Sequence, residues 1–401
     1  MRMPLGLVLL MVLVALNLRP ALASLAPLLS RVQADTGLSA AAIGALTTLP
    51  VLCLGLFAPL APWLSRRIGI ERTLSLALLL LTLALWLRAD ESSLRLFLGT
   101  ALAGAGIGIG GTVLPVLVKR DLPRGADLMT GVYTMALCLG GALGAGLSIP
   151  LADTLGSWQL SLASWSALAA LALFCWRVFA PHPWPQATAG PRAPVGAGLL
   201  RSPLAWQITL LMASQSALAY IVFGWLPVLL QRRGLGEAEA GLLLGASVFV
   251  QLFAALAAPW LARLGRDQRP ALVCALTLVA VGFYCLLQGP AVLRWPGVVA
   301  LGLGQGASFS LALALLVLRS ANPAVAGELS GMTQGLGYCL AALGPLAVGL
   351  LLQFEMSLTG IWLVLTAVVL LAIFLAMLAG RQRVLDVDTA GRFVTHDRGS
   401  R

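Results

Sequence analysis

Twelve long apolar stretches restrict the fold of this sequence more than any other feature. A helix crosses the roughly 30 Å hydrocarbon core of a bilayer with about 20 apolar residues. Windows of this kind lie at about 4–30, 39–64, 73–88, 94–118, 128–152, 158–179, 203–230, 239–262, 271–288, 296–318, 327–352 and 358–379. Because a backbone in hydrocarbon must satisfy its own hydrogen bonds, we predict an all-α membrane protein with twelve transmembrane helices, spans one to twelve.

The composition excludes a water-soluble fold. Hydrophobic residues make up 59% of the chain and charged residues 10%, and the mean hydropathy is +0.94. Soluble domains carry about a quarter charged residues, so this chain has too little polar surface to face water on all sides. We therefore expect the lipid bilayer to surround most of it.

The basic residues are divided unevenly between the two sets of loops. Nineteen of the 26 Lys and Arg residues fall on the side of the termini, six fall on the opposite side, and Arg19 lies within span one. Cytoplasmic loops are enriched in Lys and Arg, so both termini are predicted to be cytoplasmic. The net charge of +11 does not indicate a nucleic-acid partner, because the basic residues are spread over short loops rather than gathered in one patch.

The N-terminus permits an alternative interpretation. Arg2, the apolar run 5–16 and the tripeptide Ala21-Leu22-Ala23 follow the order of a secretory signal and its cleavage site. Cleavage would remove Arg19 and leave eleven spans. An internal repeat argues against cleavage, because it supplies a partner for span one.

The chain repeats itself at a spacing of about 200 residues. Segment Ala61–Arg66 recurs as Ala258–Arg263 at an offset of 197, with proline, tryptophan and arginine in matching places. An offset of 200 relates Pro27 to Pro227, Pro123 to Pro323, Gly131 to Gly331 and Gly144 to Gly344. We therefore predict two six-helix halves, 1–179 and 203–380, joined by a Pro- and Gly-rich cytoplasmic linker at 180–202 and followed by a polar cytoplasmic tail at 381–401.

Two six-helix repeats with a polar linker resemble the major facilitator superfamily over nearly the whole chain. The basic loop Arg66-Arg67-Ile68-Gly69-Ile70-Glu71-Arg72 is similar to the loop motif of that superfamily but lacks its usual acidic residue. Three further runs narrow the likeness to the cyanate permease and 2-nitroimidazole transporter family: Asn17–Ala21, Leu128–Tyr133 and Gly156–Trp158. The resemblance implies transport by alternating access and a location in the bacterial inner membrane.

Arg19 is the residue that most clearly indicates a function. An arginine at bilayer mid-depth costs about 2.5–3.5 kcal/mol even on the lenient insertion scale, and such charges mark substrate or ion pathways. The repeat aligns Arg19 with Ala219, so the fold does not need the charge. A guanidinium offers five donors in a planar fork, which suits a carboxylate, a cyanate or a nitro group. The structural alternative is a bond to the Leu16 carbonyl, which is left free because Pro20 has no N–H.

Other polar residues are candidates for the walls of a substrate site. In the superfamily that the chain resembles, spans one, four, seven and ten line the cavity; spans two, five and eleven add further polar candidates. The substrate-binding candidates beside Arg19 are Asn17, Thr47, Tyr133, Ser216, Tyr220, Gln305, Ser308, Gln334 and Tyr338. For each of them, hydrogen bonding between helices is the alternative role.

Prolines and glycines within the spans, together with loop arginines, are candidates for gating. They are Pro20, Arg66, Arg67, Gly140, Gly144, Pro150 and Arg263, with close helix packing as the alternative for the glycines. No Asp or Glu lies deep in a predicted span. Glu328 and Asp127, near the cytoplasmic mouth, are therefore the candidates for proton coupling through a protein group. The alternatives are a proton carried by the substrate and no coupling at all.

The remaining features argue against other classes of function. No set of nucleophile, base and metal-binding residues gathers near one interface, and the six cysteines are scattered without metal-ligand spacing, so neither an enzyme nor a cofactor or metal site is predicted. A receptor would more often carry a folded cytoplasmic domain. The sequence favours a monomer that takes up a small anionic or polar nitrogenous solute, with efflux of amphipathic drugs or nitroimidazoles as the alternative.

Overall fold

The fold is a bundle of membrane-length helices. A computed structural model describes residues 5–90, 92–121, 126–180, 198–264, 267–321, 323–387 and 393–397. Within these ranges twelve helical spans are long and apolar enough to cross a membrane, which confirms the number predicted from the sequence. We call the side of the bundle that carries the start of span one the termini side, and the opposite side the distal side.

The first six spans occupy the first half of the chain. Span one consists of the helices Leu5–Leu18, Pro20–Ala23 and Leu29–Thr36, with a 3₁₀ turn at Ala26–Leu28. The other helices of this half are Ala40–Phe57, Leu60–Ile68, Ile70–Leu87, Ser93–Asp121, Ala126–Leu155 and Trp158–Phe179. Leu60–Ile68 is a short separate helix, so span two ends earlier than the predicted range 39–64.

The second half repeats this arrangement. A 3₁₀ turn at Leu199–Arg201 precedes span seven, and another at Ala291–Leu293 precedes span ten. The helices are Pro203–Gln231, Glu237–Leu264, Arg269–Leu287, Arg294–Leu318, Pro323–Ala341, Leu343–Gln353 and Leu358–Ala379, of which the fifth and sixth together form span eleven.

Serines and prolines account for many of the helix ends. Each of the serines that precede spans two, six, seven and twelve accepts a hydrogen bond from the backbone N–H three residues later; they are Ser39, Ser157, Ser202 and Ser357. Three prolines lie where one helix ends and the next begins: Pro20, Pro59 and Pro345. A proline has no backbone N–H to donate to the helical hydrogen bonds, so it favours such interruptions.

The two halves meet through small residues. A side chain at Gly44 of span two would lie 3.0 Å from the Gly349 Cα of span eleven. A side chain at Gly245 of span eight would lie 3.0 Å from the Ala142 carbonyl of span five. Membrane helices approach closely where their side chains are small, so these glycines set the spacing of the two halves.

The tail after span twelve contains a β-hairpin on the termini side. Strands Arg383–Val387 and Phe393–Asp397 pair antiparallel, with Leu385 opposite Thr395. The Leu385 N–H donates to the Arg319 carbonyl at 2.8 Å, and the Leu385 carbonyl accepts from Ala321 at 2.9 Å. The side chain of Leu385 is fully buried. The tail predicted only as polar is therefore partly ordered and anchored to the loop after span ten.

Candidate functional site

A break in span one presents Arg19 to the interior. The helix Leu5–Leu18 ends just before Arg19, and the next helix begins at Pro20. The Arg19 carbonyl accepts hydrogen bonds from Leu22 and Ala23, both at 3.0 Å. The break therefore follows from the proline, whose ring interrupts the regular bonding pattern.

The guanidinium of Arg19 lies between aromatic rings of the second half. Its Cζ is 5.4 Å from the ring centroid of Phe223 in span seven and 5.9 Å from that of Phe309 in span ten. Both distances fall within the range of cation–π attraction. Among the described residues, no carboxylate or carbonyl, including that of Leu16, accepts a hydrogen bond or ion pair from this guanidinium. Its donors are therefore available to a ligand.

Three tyrosines predicted as substrate-binding residues form a cluster with Arg19. The rings of Tyr220 in span seven and Tyr338 in span eleven are 6.1 Å apart and meet edge to face. Both hydroxyls are close enough to Arg19 to interact with its charge, and Tyr133 of span five is close enough to Tyr338 for an electrostatic interaction between the two hydroxyls. The structure thus brings four of the predicted site residues together at the seam between the two halves.

Glycines of span five let span one approach closely at the break. A Cβ on Gly140 would lie 2.1 Å from the Leu16 carbonyl oxygen, and one on Gly144 would lie 2.9 Å from the Pro20 Cα. A Cβ on Gly141 would lie 3.5 Å from the Arg19 Cβ. Gly140 and Gly144, predicted as gating residues, therefore fix the position of the Arg19 segment through contact.

The other substrate-binding candidates form hydrogen bonds within their own half. Thr47 donates to the Gly44 carbonyl at 3.0 Å. The remaining bonds are Asn17 Nδ2 to Leu13 O at 2.7 Å, Gln215 Nε2 to Ser216 Oγ at 2.8 Å, Gln251 Nε2 to Gln305 Oε1 at 3.0 Å, Ser308 Oγ to Gln305 O at 3.2 Å and Gln334 Nε2 to Ser330 Oγ at 2.7 Å. Bonds of this kind support a helix bundle, and none of them involves Arg19.

Among the remaining gating and coupling candidates, the described side chains form no hydrogen bond or ion pair with Arg19, and two side chains lie outside the described residues. Arg66 and Arg67 are exposed, and Arg67 Cζ stacks 4.5 Å from the ring centroid of Trp63. Pro150 lies within the helix of span five and is exposed. Glu328 is half-buried, and its Oε2 has no hydrogen-bond partner among the described residues. The side chains of Asp127 and Arg263 lie outside the described residues.

Arg88, at the distal end of span three, is a buried arginine. It directly follows the helix of span three and is fully buried. Its Nη1 donates to the Ala21 carbonyl at 2.6 Å, and its Cγ packs against Gly99 of span four. No sequence signal distinguishes it from the exposed arginines at other span ends, because its burial depends on how spans one, three and four pack.

Ion pairs join the two halves on the distal side. Arg31 of span one bonds Asp153 of span five at 2.7 Å and Glu237 of span eight at 2.8 Å. Ser30 donates to the side chain of Gln231 at 2.6 Å. Because Glu237 and Gln231 belong to the second half, these bonds hold the distal ends together. We call Arg31, Asp153 and Glu237 the distal clasp.

Comparison with known proteins identifies the family. Residues 7–345 match the family model described as Major Facilitator Superfamily. The chain belongs to the major facilitator superfamily. This membership confirms the predicted fold, and it makes the protein a secondary transporter of a small molecule rather than an enzyme.

Relatives within the superfamily resemble the chain over most of its length. The 2-nitroimidazole transporter of Escherichia coli K12 is 37% identical over 337 residues, which cover 84% of this chain and 85% of the relative. The cyanate transport protein of the same organism is 32% identical over 344 residues, 86% of this chain and 89% of the relative. The crystal structure of the nucleoside transporter NupG shares the fold, with a TM-score of 0.75 at 13% identity over 94% of this chain and 99% of that one.

An ion pair lies beside the superfamily's basic loop motif. Glu71, at the end of that loop, is buried, and its Oε1 lies 2.8 Å from Arg120 Nη1 at the end of span four. Its backbone carbonyl accepts a hydrogen bond from the Trp176 ring at 3.2 Å. These three residues belong to the first half, so this ion pair braces one half of the major facilitator fold and does not join the two.

Neutralising the clasp residue of the second half is expected to loosen the distal side. We expect Glu237→Gln to speed labelling of a cysteine placed at Thr47 by an impermeant maleimide applied from the distal side, in a background without native cysteines. Partly exposed ion pairs contribute roughly 0.2–1 kcal/mol, so the gain should reach up to about fivefold. The matched control is Glu239→Gln, whose partner Arg294, at 3.2 Å, belongs to the same half. Equal labelling rates in both variants would show that the clasp does not hold the distal side closed.

Proposed function

We propose that this transporter carries a small planar or linear solute with a negative charge or a nitro group, of the cyanate or nitroimidazole kind, and that Arg19 binds it. The single observation that carries the proposal is the Arg19 guanidinium, which lies at the seam without an acceptor among the described residues. A charged donor inside a protein needs acceptors, and a ligand with two oxygens, or with an oxygen and a nitrogen, supplies them.

The surroundings of Arg19 favour a flat ligand. Phe223 and Phe309 flank the guanidinium, and the rings of Tyr220 and Tyr338 lie edge to face beside it. Rings at these positions offer faces and edges to a flat solute. Among the relatives, one is a 2-nitroimidazole transporter and one a cyanate transport protein, and both substrates are small and contain nitrogen. The aromatic walls favour the nitroimidazole as a second candidate substrate.

Transport would proceed by alternating access, as in the superfamily. The two halves rock about a site between them, and the distal clasp closes one entrance while the solute leaves by the other. The break at Arg19 and Pro20, with Gly140 against it, supports a bending point of span one at the proposed binding residue.

Counterflow into liposomes tests the substrate class. Purified protein is reconstituted, the liposomes are loaded with unlabelled solute, and entry of labelled cyanate is measured at short times. We expect unlabelled cyanate and 2-nitroimidazole inside to drive exchange, and nitrate outside to compete with cyanate. Xylose, a neutral and non-planar sugar, should not compete. The proposed substrate class would be contradicted if neither cyanate nor 2-nitroimidazole drove exchange and nitrate did not compete. It would also be contradicted if xylose inhibited cyanate entry as strongly as nitrate does.

The predicted orientation completes the proposal. From the likeness to bacterial transporters we infer a location in the bacterial inner membrane. From the distribution of basic residues we infer that both termini are cytoplasmic, so the distal side would face the periplasm. Reporter fusions after Gly190 and at the C-terminus should both report a cytoplasmic location. A periplasmic signal from either fusion would contradict this topology.

A further inference from the structure

Arg88 carries a buried positive charge that the proposed mechanism does not use. The side chain is fully buried, and a guanidinium has five N–H donors. One donor is used in the 2.6 Å bond to the Ala21 carbonyl, while Nε and Nη2 are buried without a hydrogen-bond partner among the described residues. No carboxylate in the described part of the chain forms an ion pair with it. Arginine is rarely buried in this way unless something pairs with it.

Arg88 lines a small cavity. The cavity has a volume of about 20 Å³, and its walls include Arg88 and Ala21 beside Thr47 of span two and Tyr220 and Phe223 of span seven. This volume holds about one water molecule, so a larger ligand needs the walls to separate. Thr47 belongs to the first half and Phe223 to the second, so the rocking motion that opens the distal side would also widen this cavity.

The cavity's lining residues lie between the distal end of span three and the Arg19 segment of span one. Arg88 follows the distal end of span three, and its partner Ala21 lies two residues beyond Arg19 towards that side. Phe223 borders both places, because its ring is 5.4 Å from the Arg19 Cζ and it also forms part of the cavity wall. One aromatic residue therefore connects the surroundings of the two arginines.

We propose that Arg88 is a second binding residue for a small monovalent anion, at a site between the distal entrance and Arg19. This inference rests on the proposed function, since it takes the same solute to both arginines. The hydrogen bond to the Ala21 carbonyl accounts for Nη1 of Arg88. A linear or planar anion bound in the cavity would accept hydrogen bonds from Nε and Nη2 and would also neutralise the charge.

Infrared spectroscopy of bound anions tests the assignment. Cyanate, thiocyanate and azide absorb where proteins do not, and their bands move when an arginine donates to them. With purified wild-type protein we expect two shifted bands for at least one of these anions. Arg88→Gln should remove one band and Arg19→Gln the other. Arg88→Lys should keep the first band at a new position, with affinity about tenfold to a hundredfold weaker than that of the wild type. Arg95→Gln is the matched control, because this exposed arginine on the same side pairs with Asp90, and it should keep both bands.

The possible outcomes separate the two sites. A single band that Arg19→Gln removes and Arg88→Gln preserves would overturn the inference and leave the proposed function intact. Two bands that both survive in Arg19→Gln would refute Arg19 as the binding residue, while the loss of one in Arg88→Gln would still support the second site. Absence of any shifted band with all three anions, or loss of folded protein in both Arg88 variants, would overturn the inference, the latter by assigning Arg88 to the support of span one.

Discussion

Arg19→Ala is expected to abolish uptake of the solute, whereas Arg19→Lys is expected to retain part of it. Alanine removes both the charge and the planar fork, while lysine keeps the charge but not the paired donors. The loss of a charge-assisted hydrogen bond costs about 1.5–3 kcal/mol, on the order of tenfold to a hundredfold in affinity. The measurements are initial counterflow rates and equilibrium binding of cyanate, with the amount of folded protein in the membrane determined for each variant.

Arg95→Ala serves as the control for this prediction. Arg95 is an exposed arginine of the same half, so its removal should leave uptake unchanged. Uptake at the wild-type rate in Arg19→Ala would remove Arg19 from the binding site. If both Arg19 variants failed to fold, the residue would instead have a structural role in span one.

Gly140→Ala should destabilise the protein more than any other single added methyl group at the seam of spans one and five. The new Cβ would lie 2.1 Å from the backbone carbonyl oxygen of Leu16, and a backbone atom cannot move aside as a side-chain end can. Overpacking of this kind costs about 1–3 kcal/mol, and a contact this short belongs at the upper end. We expect a lower thermal unfolding midpoint in detergent and slower transport, because span one must move away from span five and take Arg19 with it.

Gly146→Ala is the matched control on the same helix. A Cβ at Gly146 meets nothing within 4 Å, and alanine has a higher helix propensity than glycine by about 1 kcal/mol. This variant should therefore be as stable as the wild type or more so. Equal midpoints for the two variants would mean that span one is not held against Gly140 as described.

The sequence predicts features of this protein that depend on local pattern. Apolar length predicts the spans, because a helix needs about 20 apolar residues to cross the bilayer. Pro20 is predicted only as a gating residue, although its missing N–H accounts for the break in span one. Arg19 stands out because it lies near the middle of a predicted span, whereas the other basic residues lie in loops or at the ends of spans. These signals come from neighbouring residues, so they need no knowledge of the packing.

Features that depend on long-range packing are not visible in the sequence. Arg88 and Arg31 both lie near the distal ends of spans, yet one is buried against Gly99 and the other bonds across the two halves. Hydropathy places a residue along the chain but not around a helix axis, so it cannot tell these two arginines apart. The hairpin after span twelve was missed because each strand has only five residues and is anchored by the distant Arg319 and Ala321.

The position of Arg19 opposite Phe223 and Phe309 has a consequence for how the transporter selects its solute. The charge is carried by one half and the rings by the other. A ligand shifts a conformational equilibrium only by the difference in its affinity for the two states. A solute that reached Arg19 but was too small to touch the rings would bind equally well whether the halves were apart or together, and it would not draw them closed. The site would thus select its solute by size as well as by charge, and a solute that contacts only one half would act as an inhibitor.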